Sequence, residues 1–514
     1  MKRGHYQGVT AVLAVMLLSA CTGGNNAEDT SNQVSPKPDS EGAAKQEAPA
    51  EISIFTNQQT PEVLPENNPV LQEIEKRTNT KLNIIWTPVN TLQEKTKLTL
   101  ASGDIPDLML IGSTTDAQFT TMAKQGAFWD LEPYVQDYPN MKALPKLIWD
   151  NARTGGKIYG LPRVRPTDGG GDLPMLRKDW VEKLGLKMPE TIEELYETAK
   201  AFSEKDPDGN GTDDTFGITG QVNLDNMGNL AWVEKIYTGV PGSWKDIDGK
   251  LTPSVELPEM KDALAWLNRA YKDKVLVQDF AVLQYSQSRD LLMGGKAGMI
   301  GTAINPQWLF TEALRKIDPN ALMYPLPYVT GPHGKFAGKD SGVLGIYAIP
   351  KTVSEEKLKK ILAFMDYGYG TEGSELANYG LPEVHYKDDN GFKVATEQAK
   401  TDFVGQNYLG QIYGEFVKHQ RAFLPGIPRE MYDQNTAVID QRAEISVLDP
   451  AYNLVSDTAV KYGADYAKKI QDMKTKVIMG KEPLEAWDTF VEGLKKDPTF
   501  QKMTEEMNAA RAAR

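Results

Sequence analysis

Cysteine is almost missing from this chain of 514 residues: the one copy is Cys21. That excludes an intrachain disulfide, and it excludes a thiol nucleophile in everything that follows. Histidine is scarce as well, with His333, His385 and His419 beyond the N-terminal segment. No HExxH, GxSxG, GxxxxGK[ST] or paired CxxC spacing occurs, so the enzyme classes that carry those motifs are set aside. A glycan-cleaving enzyme needs only two carboxylates that meet in space, leaves no such trace, and stays open. Positive charge is in short supply: 57 Lys and Arg against 70 Asp and Glu leave a formal charge of -13, which opposes a phosphate-rich partner and speaks against nucleic acid. Internal repeats are absent, which weakens an adhesion or assembly role. The apolar run Val9 to Leu18 is too short to span a bilayer, which takes about 20 residues.

That short run is informative for what surrounds it. Lys2 and Arg3 precede it, and Leu18-Ser19-Ala20-Cys21 follows. This is the order of a secretory signal with small residues for a peptidase, and it resembles a bacterial lipobox. Residues 1–20 are expected to be a signal peptide, with Cys21 the lipid-bearing first residue of the mature protein. Two acyl chains hold a protein at a membrane without any transmembrane helix. From Cys21 to about residue 50 the composition turns to Gly, Asn, Ser, Pro, Glu and Ala. Such a segment buries too little surface to offset its ordering entropy and reads as a tether.

The folded body is expected to begin at Glu51-Ile52-Ser53-Ile54-Phe55, an alternating strand that ends in a polar loop containing Asn57 and Gln58. A helix over 69–78, a strand over 82–86 and a helix over 92–101 follow, giving a βαβα start. Leu108 to Ile111 reads as a buried parallel strand, followed by Ser113-Thr114-Thr115-Asp116. In open α/β sheets ligands gather at the carboxyl ends of strands, so both polar segments are expected to face one crevice.

The runs GDIPDLMLIG, FWDLEPYV and GGKIYGLPR resemble the N-terminal lobe of family 1 extracellular solute-binding proteins, the class that includes maltose-binding protein. LRKDWVEKLG from Leu176, AGMIGTAINPQW from Ala297, GVLGIYAIPK from Gly342, YGLPEVHY from Tyr379 and MGKEPLEAWDTFVEGL from Met479 extend the likeness across the mature chain. They point to the lipoprotein branch that contains alginate-oligosaccharide-binding proteins. The resemblance implies an α/β protein with the two-lobed periplasmic-binding-protein-like fold of type II and a ligand cleft at the hinged interface. Placed on this chain, one lobe spans 51–165 plus 340–415 and the other 166–339 plus 416–514. The implied role is capture of an oligosaccharide for an ABC importer, without catalysis. The protein would act as a lipid-anchored monomer on the extracytoplasmic face, with permease subunits as partners.

Between the helix that starts at Thr191 and the next apolar run lies Asp206-Pro207-Asp208-Gly209-Asn210-Gly211-Thr212-Asp213-Asp214-Thr215. Side-chain oxygens at positions 1, 3, 5 and 9 with glycine at 6 are the spacing of an EF-hand loop, in which alternate ligands converge on a hard cation. Asp206, Asp208, Asn210, Thr212, Asp214 and Thr215 are the candidate ligands of one structural Ca2+. Position 12 is Gly217 in place of a bidentate Glu, and Thr215 stands where the alginate-binding branch has an acid. An Asp/Asn/Gly turn closed by its own hydrogen bonds would have the same composition.

A sugar presents hydroxyls at its edge and C–H groups on its faces, so its site wants planar polar groups and aromatic platforms. The candidates are Asn57, Gln58, Thr114, Asp116, Arg163, Arg165, Asp172, Trp232, Tyr237, Trp244, Asn305 and Trp308. Trp308 is favoured as the stacking ring, with burial in a core as its alternative. Arg163 and Arg165, with Arg177 and Lys178, suit an acidic sugar such as a uronate, and a neutral sugar stays open.

Overall fold

The computed structural model of the chain describes residues 48–58, 62–89, 91–171, 173–405 and 408–513. Cys21, Asp172, the expected signal peptide and nearly all of the expected tether lie outside them. The chain divides into a leading unit, Met1–Ala48, and a body, Pro49–Arg514. Among the described residues no helix is long and apolar enough to cross a membrane.

Nine strands build the two larger sheets of the body: β1 (Ala50–Gln58), β2 (Thr80–Pro88), β3 (Leu108–Ile111), β4 (Gly160–Val164), β5 (Pro174–Arg177), β6 (Phe216–Thr219), β7 (Ala297–Gly301), β8 (Met323–Pro325) and β9 (Val343–Ala348). The first sheet runs β2-β1-β3-β9-β4, with β1 parallel to β2 and β3, and β9 antiparallel to β3 and β4. The second runs β8-β5-β7-β6, with β6 and β7 parallel. Helices cover both. Pro69–Thr78 and Leu92–Ser102 make the βαβα start that periodicity predicts, and the first is capped by Asn68, which accepts from Val70 and Leu71.

β1 is longer than its alternation suggests. Thr56, Asn57 and Gln58 continue the pairing with Trp86, Thr87 and Pro88, so the expected loop is strand. Their polar side chains hide this, because a fully paired strand end needs no apolar residue on the face it turns to a cleft.

Each sheet has its own core. The first gathers Ile52, Ile54, Leu108 to Ile111 and Leu161 with Ile346, Leu358 and Ile361; its members lie within 52–164 and 343–413. The second gathers Leu176, Trp180, Leu195, Phe202, Ile218, Trp232 and Met299 with Val477 and Trp487; its members lie within 173–337 and 466–503. This is a two-lobed α/β fold. Backbone bonds tie the segments that join the cores: Arg165 donates to Gly342, and Asp340 to Thr167 at 2.7 Å.

Candidate functional site

Beside the segments that join the two cores lie two adjacent chambers. One, of about 430 Å³, is lined by Arg165, Asp340, Asn378, Tyr379, Gln411 and Arg421 among others. The second, of about 630 Å³, is lined by Gln221, Asn229, Tyr285, Arg289 and Thr302. Gly171, Ala303, Asn305 and Leu424 line both. Gln221 follows the end of β6, and Thr302 to Asn305 follow the end of β7, so the strand-end rule holds for the second sheet.

The polar groups around these chambers are unevenly satisfied. Asn229 donates through Nδ2 to the Gly301 carbonyl at 2.8 Å, and Asn378 donates to Ser374 at 2.8 Å. The amide oxygens of Gln221, Asn229 and Asn378 are buried without a partner, as are Asn57 Oδ1 in β1 and the Nε atoms of Arg163 and Arg289. Buried polar groups are nearly always paired, and three of these unmet atoms, Gln221 Oε1, Asn229 Oδ1 and Arg289 Nε, belong to residues that line the second chamber. The carboxylates lining the first chamber are engaged: Asp340 pairs with Arg421, Glu375 with Lys393 at 3.0 Å, and Glu415 accepts from Thr371 at 3.1 Å.

Arg165 gives its donors to the Val164 carbonyl at 2.7 Å and the Gly410 carbonyl at 3.2 Å. Its pKa is pushed down to about 9, first by burial and then by the like charge of Arg163, with Arg421 adding to it. Burial also lowers Arg163, whose guanidinium donates to Gln411. Tyr347 donates to the Gln411 carbonyl at 3.0 Å and shares a hydrogen bond with Thr56, so the end of β1 is tied to the wall of the first chamber.

Of the residues expected to bind ligand, Arg165 and Asn305 line the chambers. Asp172 lies outside the described residues. Asn57 and Arg163 are buried close behind, and Gln58 donates to the Glu62 carbonyl at 3.5 Å. Thr114 is turned onto Asn453 at 2.6 Å, and Asp116 caps the helix Ala117–Lys124 through the Phe119 N–H. The four aromatics line neither chamber. Trp232 packs edge-on against Trp266 in the second core, with ring centroids 5.6 Å apart, and Tyr237 beside it reaches Glu193. Trp244 lines a separate apolar cavity with Val255, Met260 and Tyr466. Trp308 packs in a satellite cluster with Phe392, Ile427 and Met431. Large rings gain more from burial than a polar cleft offers, and helix packing places them there. Gln221, Asn229, Tyr285, Arg289, Asn378 and Arg421 were missed. The strand-end rule could have found Gln221, while Arg289 sits mid-helix with no sequence signal.

The acidic loop follows the helix Ile192–Glu204, whose start is a capping box between Thr191 and Glu194. Gly209 and Gly211 adopt positive φ, 76° and 81°, as the tight turn requires. Asp206 accepts from the N–H groups of Gly209, Asn210 and Gly211 at 2.9 to 3.0 Å. Its pKa is lowered, first by the Gly211 N–H, while that of Asp208 is raised, first by burial and then by its bond to Asp206. Asn210 donates one amide nitrogen to both Asp208, at 2.8 Å, and Asp214, at 3.0 Å. Side chains of Asp208 and Asp214 are therefore drawn together through the Asn210 amide nitrogen, with Asp206 folded onto the backbone N–H groups of the same turn. Two expected ligands differ. Thr215 is buried and donates to the Phe202 carbonyl at 2.7 Å, because the chain is already entering β6. Asp214 is drawn onto Lys296. Among the described residues no three His, Cys, Asp or Glu side chains stand in metal-holding geometry.

Residues 59–375 match the family described as bacterial extracellular solute-binding protein. The chain is 32% identical over 489 residues to the polygalacturonan/rhamnogalacturonan-binding protein YtcQ of Bacillus subtilis, covering 93% of each. It is 29% identical over 493 residues to lipoprotein LipO of the same organism, covering 94% of each. Its fold superposes on the crystal structure of alginate-binding protein AlgQ2 without calcium ion with a TM-score of 0.67, at 21% identity, covering 91% of this chain and 99% of that one.

Proposed function

Because the chain belongs to the bacterial extracellular solute-binding protein family, we propose that it captures an oligosaccharide between its two lobes and delivers it to the permease of an ABC importer. The observation that carries this is the first chamber, walled by residues of both lobes and adjoined by the second, with the amide oxygens of Gln221, Asn229 and Asn378 buried without partners among the lining residues. Sugar hydroxyls donate to such oxygens, and the walls contributed by both lobes let one ligand favour the closed arrangement. Relatives named for polygalacturonan, rhamnogalacturonan and alginate support a sugar oligomer as the ligand class. The chamber carboxylates held in ion pairs or hydrogen bonds suit binding rather than proton transfer.

The lobes are 51–165 plus 340–415 and 166–339 plus 416–514, a division supported by the membership of the two cores. Arg165 and Asn305 contact ligand, joined by Gln221, Asn229, Asn378 and Gln411. Residues 1–20 are a signal peptide, Cys21 carries the lipid, and the segment to residue 50 is the tether that holds a monomeric body on the extracytoplasmic face. The lipoprotein relative supports this anchor. The loop Asp206 to Asp214 holds one calcium ion, through the side chains of Asp206, Asp208, Asn210 and Asp214 and the Thr212 carbonyl. The alginate-binding neighbour, described as without calcium ion, supports it. The ion would neutralise a crowded group of carboxylates and pin the turn, a structural role.

Small-angle X-ray scattering tests capture directly. Binding of a cognate oligosaccharide is expected to reduce the radius of gyration of the full chain, and a bound sugar that leaves the scattering curve unchanged would remove closure from the account.

A further inference from the structure

Four cations line the chambers among the described residues, and three are engaged. Arg165 donates to two carbonyls, Arg421 pairs with Asp340, and Lys393 pairs with Glu375 at 3.0 Å. The fourth, Arg289, forms no hydrogen bond or ion pair with any described residue, and its Nε is buried without a partner. It lies on the helix Tyr285–Met293, four residues after Tyr285, so both side chains rise from one helix face. The guanidinium carbon is 5.5 Å from the Tyr285 ring centroid and 5.2 Å from that of Phe310. Tyr285 is 47% exposed and borders the second chamber. Gln221 and Asn229, whose amide oxygens are unpartnered, line the same chamber.

Covering an unpaired guanidinium with a bound ligand removes water from a full charge, a costly step unless the ligand brings an anion. The neighbours narrow the kind of anion. Gln221 and Asn229 present acceptors, which call for hydroxyl donors, and an exposed tyrosine ring suits the C–H face of a pyranose. A planar guanidinium pairs best with a planar carboxylate through two parallel bonds.

Resting on capture between the lobes, we propose that the second chamber is a uronate subsite. In it Arg289 pairs with the carboxylate of a hexuronate residue, Tyr285 supports its ring, and Gln221 and Asn229 accept from its hydroxyls. The protein is then selective for acidic over neutral oligosaccharides, and Arg289 sets that selectivity.

The test is calorimetric titration of the full chain with trimers of galacturonate, mannuronate and guluronate, each paired with its carboxyl-reduced neutral counterpart. The parent protein is expected to bind at least one uronate trimer at least about ten-fold more tightly than its neutral partner, the scale of a charge-assisted pair. Arg289→Gln should bring that ratio close to one while leaving the thermal unfolding midpoint unchanged, and Arg289→Lys should restore part of it. A neutral trimer bound as tightly as its uronate counterpart, or an Arg289→Gln protein that keeps the ratio, overturns the subsite and leaves capture standing. Silence across all six sugars contradicts capture of these glycans, and the subsite falls with it.

Discussion

Arg165 sits where burial and the charges of Arg163 and Arg421 all oppose its own, and this lowers its pKa. A cation held this way gains from any polar ligand that brings acceptors into the first chamber. Trp308 behaves in the opposite manner. Partly buried, it packs against the cluster of Phe392, Ile427 and Met431, with the Arg315 guanidinium carbon 5.9 Å from its ring centroid, and it lines neither chamber. Trp308→Ala is therefore expected to lower stability in urea unfolding by about 3 kcal/mol, the usual scale for removing a packed tryptophan. Sugar affinity by calorimetry should stay within about two-fold of the parent, since the ring itself lines neither chamber. Unchanged stability with weakened binding would instead put the ring in the site. At this scale the sequence was a partial guide. Arg165 and Asn305, both named from the sequence, line the chambers, whereas an aromatic such as Trp308 reads the same whether its helix turns it to a cleft or to a neighbour.

The acidic loop shows what one element can hold. Its carboxylates crowd around Asn210, with Lys296 and backbone N–H groups supplying the compensating positive charge. If calcium takes that place, adding it to chelator-treated protein should raise the thermal midpoint, because an ion bound only by the folded state stabilises it by mass action. Asp206→Asn should abolish the rise. An equal midpoint with calcium and with chelator would leave the loop a self-bonded turn. The elements themselves were legible wherever periodicity and caps agree, as at Pro69–Thr78 and Ile192–Glu204. They were illegible at Thr56 to Gln58, where pairing with β2 continues the strand although its side chains turn polar. Thr215 was misjudged for a related reason: position in a loop motif does not reveal that the chain has already turned inward to Phe202.

At the scale of the molecule, two sheets with separate cores meet along three stretches of chain, and the adjacent chambers lie beside them. Lobes with independent cores can rotate as bodies, and a ligand touching both shifts the balance only by its preference for the closed state. On the proposed anchoring at Cys21, the closed form stays concentrated beside a permease in the same membrane. The two-lobed architecture was legible from runs of residues spread over the whole chain. The cleft was less so, because its walls come from Gln221, Arg289, Asn378 and Gln411, which only folding brings together. The most direct measurement is thermal unfolding of the full chain against a panel of neutral and uronic oligosaccharides, with each sugar recovered and sized afterwards. The account predicts a raised midpoint for one class of sugar and recovery of that sugar intact. A midpoint that no sugar raises, or a sugar returned shortened, would contradict it.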